Sequence, residues 1–568
     1  MRNVHQKHVS FFICMAIIVF FMVFWCFQKE GTFIDELLSY DLSNRQSSRI
    51  EYIRSYLGSS SPSSIAEDLS DILKNGKEGS RIYKDFKASE RRNAPSSLWH
   101  DADYFGQYLM TTQGGRFDFL SVFYNASFDS APPLYYLLLH FICSLFPDTF
   151  SLWYGLIINL LFLMPVCALL YYLTEKYYGG TKYAFLITLC YAMSIGSIST
   201  LLIIRMYAMY TFFVLAFFAV NLRIAANGFS FTKKSRIAYI LCAFLGFYTQ
   251  YYFVIYAFFL IGTICLYLFR QKETRPKIFP YLSASLAAAV LSIVLWPFSI
   301  KHIFFDSFGS STFSNASSGQ ILHRLAAYFE IIAASLFAQQ PWLLAFLLLL
   351  SIAGILLLIY CTKTGKRLAP PSHCVLKGLL ILIPSAGYIF LVAVSAPFLA
   401  NRYIMCTFPF IFLGMYELFR MILSSLTRHS FSILCILGAA VTLYSLMTVK
   451  ADYTYPEKKE RHAFMENAQD SVCIHVTEPN GWMYKSCLDI MGTCKKTALL
   501  YPEQIGSLGP IPLPSGEYSS VLVCISSSYP QEELLESIIS RCGLEDRKIM
   551  VFPRINDEYS SMYLLTGS

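Results

Sequence analysis

Two adjacent carboxylates, Asp35 and Glu36, lie in the segment GTFIDELLSYD, shortly after an apolar run that starts at Phe11. A carboxylate pair at a membrane surface can accept a proton from a hydroxyl group or hold a cation. The alternative is that both acids are solvated side chains of a loop. Asp41, outside this pair, is expected to tolerate replacement far better.

A third acid, Asp129, precedes Pro132 and Pro133 at the start of the aromatic run LYYLLLHF. The two prolines restrict the backbone and set the angle at which Asp129 enters the membrane surface. Pro-Pro at a membrane boundary also commonly just starts a helix, so this pattern leaves a structural interpretation open.

Two arginines, Arg205 and Arg402, lie at the ends of apolar runs, and a tyrosine closely follows each of them, Tyr207 and Tyr403 respectively. A guanidinium group offers a planar fork of donors that suits a phosphate. Snorkelling or an ion pair would explain a single arginine equally well.

A tyrosine pair, Tyr251 and Tyr252, lies in the segment YTQYYF. Such rings can stack on a sugar or a lipid headgroup, or they can simply belong to the aromatic belt of a membrane protein.

The elements that position these residues are membrane helices. Of the 568 residues, 55% are hydrophobic and only 14% are charged, where a soluble protein has about 25% charged residues. Runs long enough to cross a bilayer recur between Phe11 and Val449 and must be helical, because lipid offers the backbone no hydrogen bonds. After the first run, at about 11–27, they cover about 133–147, 152–173, 183–203, 206–224, 237–249, 252–269, 279–300, 342–361, 376–398, 403–422 and 430–449. The run 133–147 is short and ends in Pro, so we expect it to be juxtamembrane or re-entrant and predict about eleven crossings.

Basic residues predict the orientation. They concentrate in short connectors between apolar runs, such as 270–277 and 363–377, which marks the inner face. The first helix then runs from inside to outside and opens a large outer loop at 28–131. The same parity places the predicted acids, arginines and tyrosines at the outer face. The net charge of +8 therefore reports topology, and no nucleic-acid partner is predicted.

The composition becomes soluble from residue 451, which predicts two domains, a membrane domain at 1–450 and an outer α/β domain at 451–568. Strand-like runs SVCIHVTE, SVLVCISS, KIMVFP and MYLLTG surround the helix-like QEELLESIISRCG. This domain has five cysteines, an odd number, so disulfides are compatible with it but no pairing can be assigned. No cysteine or histidine spacing supports a structural metal site.

In these segments the chain resembles the GT-C class of membrane glycosyltransferases, which includes protein mannosyltransferases and the lipid A aminoarabinose transferase. The resemblance covers about residues 11–450. It rests on the order of the acidic pair, the acid before PPLYYLLLH, the RMYA segment at 205–208, the TQYYF segment and a late RY followed by Pro409. Ala131, Ile203 and Gln250 depart from the family pattern, which often has His, Glu and His there.

The resemblance implies a GT-C fold and an inverting transfer of a sugar from a polyprenyl-phosphate donor to an extracytoplasmic glycan, lipid or protein, at the outer face of a bacterial plasma membrane. It implies Asp35 as general base, with Glu36 and Asp129 orienting the acceptor or a cation. Arg205 and Arg402 would hold the phosphate, and Tyr207, Tyr251, Tyr252 and Tyr403 would contact substrate. A divalent cation at the acidic site is compatible with it, and no other cofactor is implied.

Two other functions remain open. A transporter or flippase for a lipid-linked saccharide would place charges near the middle of the bilayer and repeat its helices in matched halves. The apolar runs contain few charges and no repeat is evident. An oligosaccharyl ligase or polymerase would use the outer loops differently.

Overall fold

A computed structural model of the chain describes residues 2–46, 98–270, 272–304, 320–349, 372–478, 483–507, 510–515, 518–551 and 559–566, with isolated positions between 50 and 85 and at 352 and 356. In the continuous ranges the α-helices are Arg2–Cys26, Ile34–Asn44, Ala102–Gly106, Phe119–Ala126, Leu134–Leu145, Leu152–Leu173, Thr181–Ala192, Ile195–Leu202, Tyr207–Ala226, Lys233–Thr249, Phe253–Arg270, Ile278–Leu295, Phe298–Phe304, Ile321–Leu336, Pro341–Leu349, Ser372–Ser395, Phe408–Leu426, Ser430–Thr448, Lys459–Asn467, Leu488–Met491, Pro502–Ser507 and Gln531–Cys542. The strands are β1 (Trp99–Asp101), β2 (Ser471–Val476), β3 (Lys496–Leu500), β4 (Ser520–Ser526), β5 (Lys548–Val551) and β6 (Ser560–Thr566).

Long apolar helices dominate the described residues. Eight of them are long and apolar enough to cross a membrane: Lys7–Cys26, Leu152–Tyr178, Tyr207–Ala226, Phe253–Arg270, Arg275–Leu295, Leu376–Ser395, Met405–Ser424 and Ser430–Thr448. Two bent helix pairs bring the number to ten if each pair is one span. These helices indicate an integral membrane protein. The predicted total of about eleven crossings stays a prediction, since part of the run 342–361 lies outside the described residues.

The predicted run 183–203 forms two helices. Thr181–Ala192 and Ile195–Leu202 are inclined by 58° to each other. Ser194 lies at the break, and its hydroxyl oxygen accepts a hydrogen bond from the backbone N–H of Ser197 at 3.2 Å. A serine in this position caps a new helix, which explains a break that apolar composition alone does not reveal.

The short run 133–147 forms the helix Leu134–Leu145, whose 12 residues are too few to cross a bilayer. This length agrees with the prediction that the run does not span on its own. Its position in a membrane stays a prediction.

The chain divides into two compact units. The helical unit comprises Met1–Lys29, Asp129–Tyr135 and Leu152–Thr454, and the mixed unit comprises Glu30–Phe128, Tyr136–Ser151 and Tyr455–Ser568. The mixed unit therefore joins the C-terminal segment to most of the predicted first outer loop. The domain boundary at 450/451 stays a prediction.

The mixed unit contains a six-stranded sheet in the order β1-β3-β2-β4-β6-β5. Strand β2 pairs in parallel with both β3 and β4, and the remaining pairs are antiparallel. Every residue of β2 and β4 is buried, as expected for central strands that are covered on both faces. The four predicted strands and the predicted helix are confirmed as β2, β4, β5, β6 and Gln531–Cys542.

Candidate functional site

The first two predicted acids lie in the opening turn of the helix Ile34–Asn44 in the mixed unit. The Glu36 side chain is fully buried, and its Oε2 accepts a hydrogen bond from the backbone N–H of Phe33 at 2.7 Å. This bond satisfies a donor that the first turn would otherwise leave open. Asp35 is half-buried. The structure thus gives Glu36 a capping role, while Asp35 remains half-buried.

A buried ion pair secures the same helix within the mixed unit. The Asp41 carboxylate, 1% exposed, accepts from the Lys485 ammonium at 2.5 Å and lies 3.5 Å from the Arg45 guanidinium. Further along, the Asn44 amide donates to the Leu109 carbonyl at 2.8 Å. Replacement of Asp41 would therefore break a buried ion pair, so Asp41 is unsuitable as a control. A control for Asp35 has to be an exposed acid such as Asp103.

The third predicted acid, Asp129, belongs to the helical unit. It is half-buried and precedes the buried Pro132 and Pro133, after which the helix Leu134–Leu145 begins. A helix thus begins directly after the two prolines, which agrees with the structural interpretation of this pattern, and the role of Asp129 stays a prediction. The predicted acids are thus distributed over the two units, Asp35 and Glu36 in one and Asp129 in the other.

Three predicted substrate contacts, Arg402, Tyr403 and Tyr252, come from two segments of the helical unit that are far apart in sequence. The Tyr252 and Tyr403 rings meet edge to face, with centroids 5.8 Å apart. The Arg402 guanidinium carbon lies 5.5 Å from the centroid of the Tyr403 ring. We call Arg402, Tyr403 and Tyr252 the arginine–tyrosine cluster.

Two residues that the sequence did not single out support this cluster. The Tyr388 hydroxyl donates to the backbone carbonyl of Tyr403 at 2.8 Å. The Arg324 guanidinium donates to the backbone carbonyls of Ala393 and Ala396, where the helix Ser372–Ser395 ends. Both contacts fix the backbone around the segment that carries Arg402. Tyr388 lies in the predicted run 376–398, whereas Arg324 lies between two predicted runs, in the helix Ile321–Leu336 that the sequence analysis did not predict.

An acid that the sequence analysis missed, Asp452, lies beside the same segment of the helical unit. Its Oδ2 accepts from the Asn401 amide at 2.6 Å and from the Ser199 hydroxyl at 3.4 Å. The Tyr453 hydroxyl donates to the side-chain oxygen Oδ1 of Asn401 at 2.8 Å. Although part of the Asp452 side chain is open to solvent, the surrounding protein desolvates the carboxylate and raises its pKa. These hydrogen bonds hold Asn401, the residue that precedes Arg402 in the chain.

Tyr251 differs from its neighbour Tyr252. Its hydroxyl lies 2.8 Å from Nδ1 of His302 and accepts from the Trp296 indole N–H at 2.8 Å. The Tyr251 hydroxyl is therefore engaged in hydrogen bonds within the protein. The pair predicted as two equivalent substrate contacts thus separates into Tyr252 in the arginine–tyrosine cluster and Tyr251 in a contact with Trp296 and His302.

Arg205 occupies the turn between the helices Ile195–Leu202 and Tyr207–Ala226 of the helical unit. The Asn159 amide shapes this turn, because it donates to the carbonyls of Leu201 at 2.8 Å and Ile203 at 2.6 Å. Arg205 is half-buried, and Tyr207 begins the next helix. The structure therefore holds the RMYA segment at a helix start.

An apolar groove runs along the helix Tyr207–Ala226. It has a volume of about 480 Å³ and is lined by Pro165, Ala168, Leu169, Tyr172, Phe212, Ala216, Ala219 and Val220. Its lining comes from Leu152–Leu173 and Tyr207–Ala226, both of which are candidate membrane spans. Such a surface suits a hydrocarbon chain.

No group of three or more His, Cys, Asp or Glu residues in the described part of the chain could hold a metal ion. The divalent cation that is compatible with the acidic site stays a prediction.

The sequence matches no family model and no curated protein. Among solved structures, the chain is similar to ArnT from Cupriavidus metallidurans bound to undecaprenyl phosphate, with a TM-score of 0.46 and 10% identity over 77% of this chain and 88% of that one. The same enzyme in the apo state gives a TM-score of 0.45 and 9% identity over 77% and 87%. A likeness at this level decides no function, so the function is inferred from the residues of this chain.

Proposed function

We propose that this protein is a membrane glycosyltransferase of the GT-C kind that moves a sugar from a polyprenyl-phosphate donor to an extracytoplasmic glycan, lipid or protein acceptor. The arginine–tyrosine cluster supports this proposal most directly. It combines a guanidinium with phenols at the end of apolar helices, which is the chemistry that a lipid-linked phosphate and a sugar require together.

The donor is assigned to the helical unit. Arg402 and Arg205 bind the phosphate and stabilise the negative charge that grows on it as the sugar leaves. Tyr252, Tyr403 and Tyr207 contact the sugar or the headgroup with their rings and hydroxyls. Tyr251 contributes indirectly, since its hydroxyl is engaged with Trp296 and His302. The apolar groove accepts part of the polyprenyl chain.

The acceptor is activated by carboxylates. Asp35 takes the proton of the acceptor hydroxyl as that oxygen attacks the anomeric carbon, and the polyprenyl phosphate leaves from the opposite side, which inverts the configuration. Asp129 orients the acceptor or a cation. Glu36, which caps the helix that carries Asp35, acts as a positioning residue. The role first predicted for Glu36, orienting the acceptor or a cation, can be separated from capping by substitution.

We further propose that the reaction takes place at the outer face of a bacterial plasma membrane, with the N-terminus inside and residues 451–568 outside. Reporter fusions after Ser568 test this orientation. Cytoplasmic labelling of the C-terminal tag would reject the outer-face site.

The function itself is tested with purified protein in proteoliposomes that contain a panel of labelled polyprenyl-phosphate sugars. We expect one donor to be consumed, with transfer of its label to an added acceptor extract. A transporter or flippase would instead move a lipid-linked saccharide across the bilayer without breaking its sugar–phosphate bond. That outcome would replace the proposal.

A further inference from the structure

Asp452 follows the helix Ser430–Thr448 in the helical unit, and the proposed function gives it no role. Its carboxylate contacts two segments that are far apart in the chain. The Oδ2 atom accepts from the Asn401 amide at 2.6 Å and from the Ser199 hydroxyl at 3.4 Å. The first contact is short for its type and the second is long, so the bond to Asn401 is the stronger of the two.

One of the joined segments carries Arg402. Asn401 directly precedes this arginine and begins the 3₁₀ helix Asn401–Tyr403. Both ends of the Asn401 amide are engaged, because its nitrogen donates to Asp452 and its oxygen accepts from the Tyr453 hydroxyl at 2.8 Å. The backbone is therefore fixed directly before the arginine that is assigned to the donor phosphate.

The other joined segment leads to Arg205. Ser199 lies in the helix Ile195–Leu202, and its carbonyl accepts from the backbone N–H of Ile203 at 3.2 Å. The carbonyl of Ile203 accepts in turn from the backbone N–H of Arg205 at 2.8 Å. A continuous path of hydrogen bonds therefore runs from Asp452 through Ser199 to the backbone of Arg205.

The backbone next to Asp452 is itself held in an uncommon conformation. Tyr453 has a φ of 67°, in the left-handed region that residues with a side chain seldom adopt. Two contacts hold it there, since its carbonyl accepts from the Lys29 ammonium at 2.9 Å and its hydroxyl donates to Asn401. Strained residues persist where the surrounding contacts fix them, so the position of the neighbouring Asp452 is well defined.

We infer that Asp452 is a positioning residue that aligns the segments of Arg402 and Arg205 for the phosphate of the donor. The inference rests on the proposed function and adds a residue to its donor site. A carboxylate suits this role, because hydrogen bonds to a charged acceptor are stronger than those between neutral groups. Since the shorter bond leads to Asn401, Arg402 depends on Asp452 more than Arg205 does.

Purified full-length protein in lipid nanodiscs provides the test. Calorimetry measures the Kd of a polyprenyl monophosphate, and the KM values of donor and acceptor are measured in the same preparation. Asp452→Ala should raise the Kd and the donor KM by about three- to tenfold, because the lost contact with Asn401 is partly exposed to solvent. The acceptor KM should not change.

Milder variants keep the test valid if Asp452→Ala folds poorly. Asp452→Asn retains an acceptor oxygen, and Ser199→Ala removes only the longer contact, so both should stay within about twofold of the wild-type Kd. Glu273→Ala, at an exposed acid of the same unit, is the control and should change none of the constants. A merely structural role would lower the amount of folded protein and leave the Kd of the folded fraction unchanged. An unchanged Kd in folded Asp452→Ala would overturn the inference.

Double variants show whether Asp452 acts through the arginines. In the Arg402→Lys background, Asp452→Ala should weaken binding less than it does in the wild type, because both changes disturb the same contact with phosphate. In the Arg205→Lys background this difference should be smaller, because the contact with Ser199 is the longer one. Independent effects in both backgrounds would overturn the inference.

Binding and transfer are measured separately, so failure of this inference can be distinguished from failure of the proposed function. If the wild type transfers sugar and Asp452→Ala binds and transfers normally, only the positioning role is rejected. If the wild type binds polyprenyl phosphate, loses affinity in Asp452→Ala and consumes no donor, the positioning role is supported and only the transferase is rejected. A wild type that binds no polyprenyl phosphate would reject the positioning role whatever its activity.

Discussion

Arg402 and Tyr403 are neighbours in one segment of the helical unit and Tyr252 lies in another, yet their side chains meet. Asp35 and Glu36 are adjacent in the chain, yet the mixed unit gives them different surroundings. Glu36 is buried and caps a helix, and Asp35 remains partly accessible. The first region gathers distant residues into one cluster, whereas the second divides a sequence motif into two roles. A short motif therefore identifies a reactive segment but does not say which of its members reacts.

The largest effect is expected at the accessible acid. Asp35→Asn keeps the size and polarity of the side chain but removes the proton acceptor, so turnover should fall by about two to four orders of magnitude. The amount of protein in the membrane should hardly change. Turnover is measured with the donor identified in proteoliposomes.

Asp103→Asn is the matched control for this change, since Asp103 is an exposed acid of the same unit. It should retain normal turnover. Near-normal turnover of Asp35→Asn would show that Asp35 is not the general base. Asp129 would then be tested in this role.

The next largest effect concerns stability and shows whether the helix that carries Asp35 depends on the C-terminal segment. Asp41→Asn leaves Lys485 without its buried partner and should cost about 3 kcal/mol of the unfolding free energy of the mixed unit. The double variant with Lys485→Met should lose less than the sum of the two single changes. Denaturant titration of the mixed-unit transition measures both.

The control for this ion pair is exposed. Asp101 lies 3.7 Å from Lys496, and the two side chains are 77% and 42% exposed, respectively. Asp101→Asn should cost less than about 1 kcal/mol. Equal losses at Asp41 and Asp101 would mean that the buried pair has no special role.

A smaller effect is expected in the arginine–tyrosine cluster. Arg402→Lys keeps the positive charge but loses the planar fork, so kcat/KM for the donor should fall about 10- to 100-fold while the KM of the acceptor changes little. Arg428→Lys, at an exposed position of the same unit, should leave both constants unchanged. A selective rise in the acceptor KM would show that Arg402 binds the acceptor and not the donor.

The smallest effect distinguishes capping from catalysis at Glu36. Glutamine can also close the helix start, so Glu36→Gln should keep turnover within about threefold of the wild type. Glu36→Ala should lower the unfolding free energy of the mixed unit by about 1 kcal/mol. A loss of turnover in Glu36→Gln as large as that in Asp35→Asn would show that the carboxylate of Glu36 acts on substrate or a cation.

Sequence reasoning predicted the elements whose signal is local. The central strands β2 and β4 were recognisable because both of their faces are buried and their residues are mostly apolar. Strand β1 was not predicted, because it has three residues and pairs with β3, which lies far along the chain. The break at Ser194 was missed because the residues on both sides of it are apolar.

The site was predicted as a set of residues but not as a geometry. The tyrosines of the RY and TQYYF segments were identified, whereas the contact between Tyr252 and Tyr403 and the separate role of Tyr251 depend on packing between distant helices. Asp452 was missed because it follows the last apolar run and resembles the start of a soluble domain. Its partners Ser199 and Asn401 come from other parts of the chain.

The most direct test of the central claim is the stoichiometry and stereochemistry of one turnover, measured by NMR on the products of the wild-type protein with its donor. We predict one free polyprenyl phosphate for each sugar transferred, and a product whose anomeric configuration is inverted with respect to the donor. A retained configuration would contradict direct attack by an acceptor that a carboxylate base has activated. Donor that remains intact in the presence of folded protein and acceptor would contradict the transferase itself.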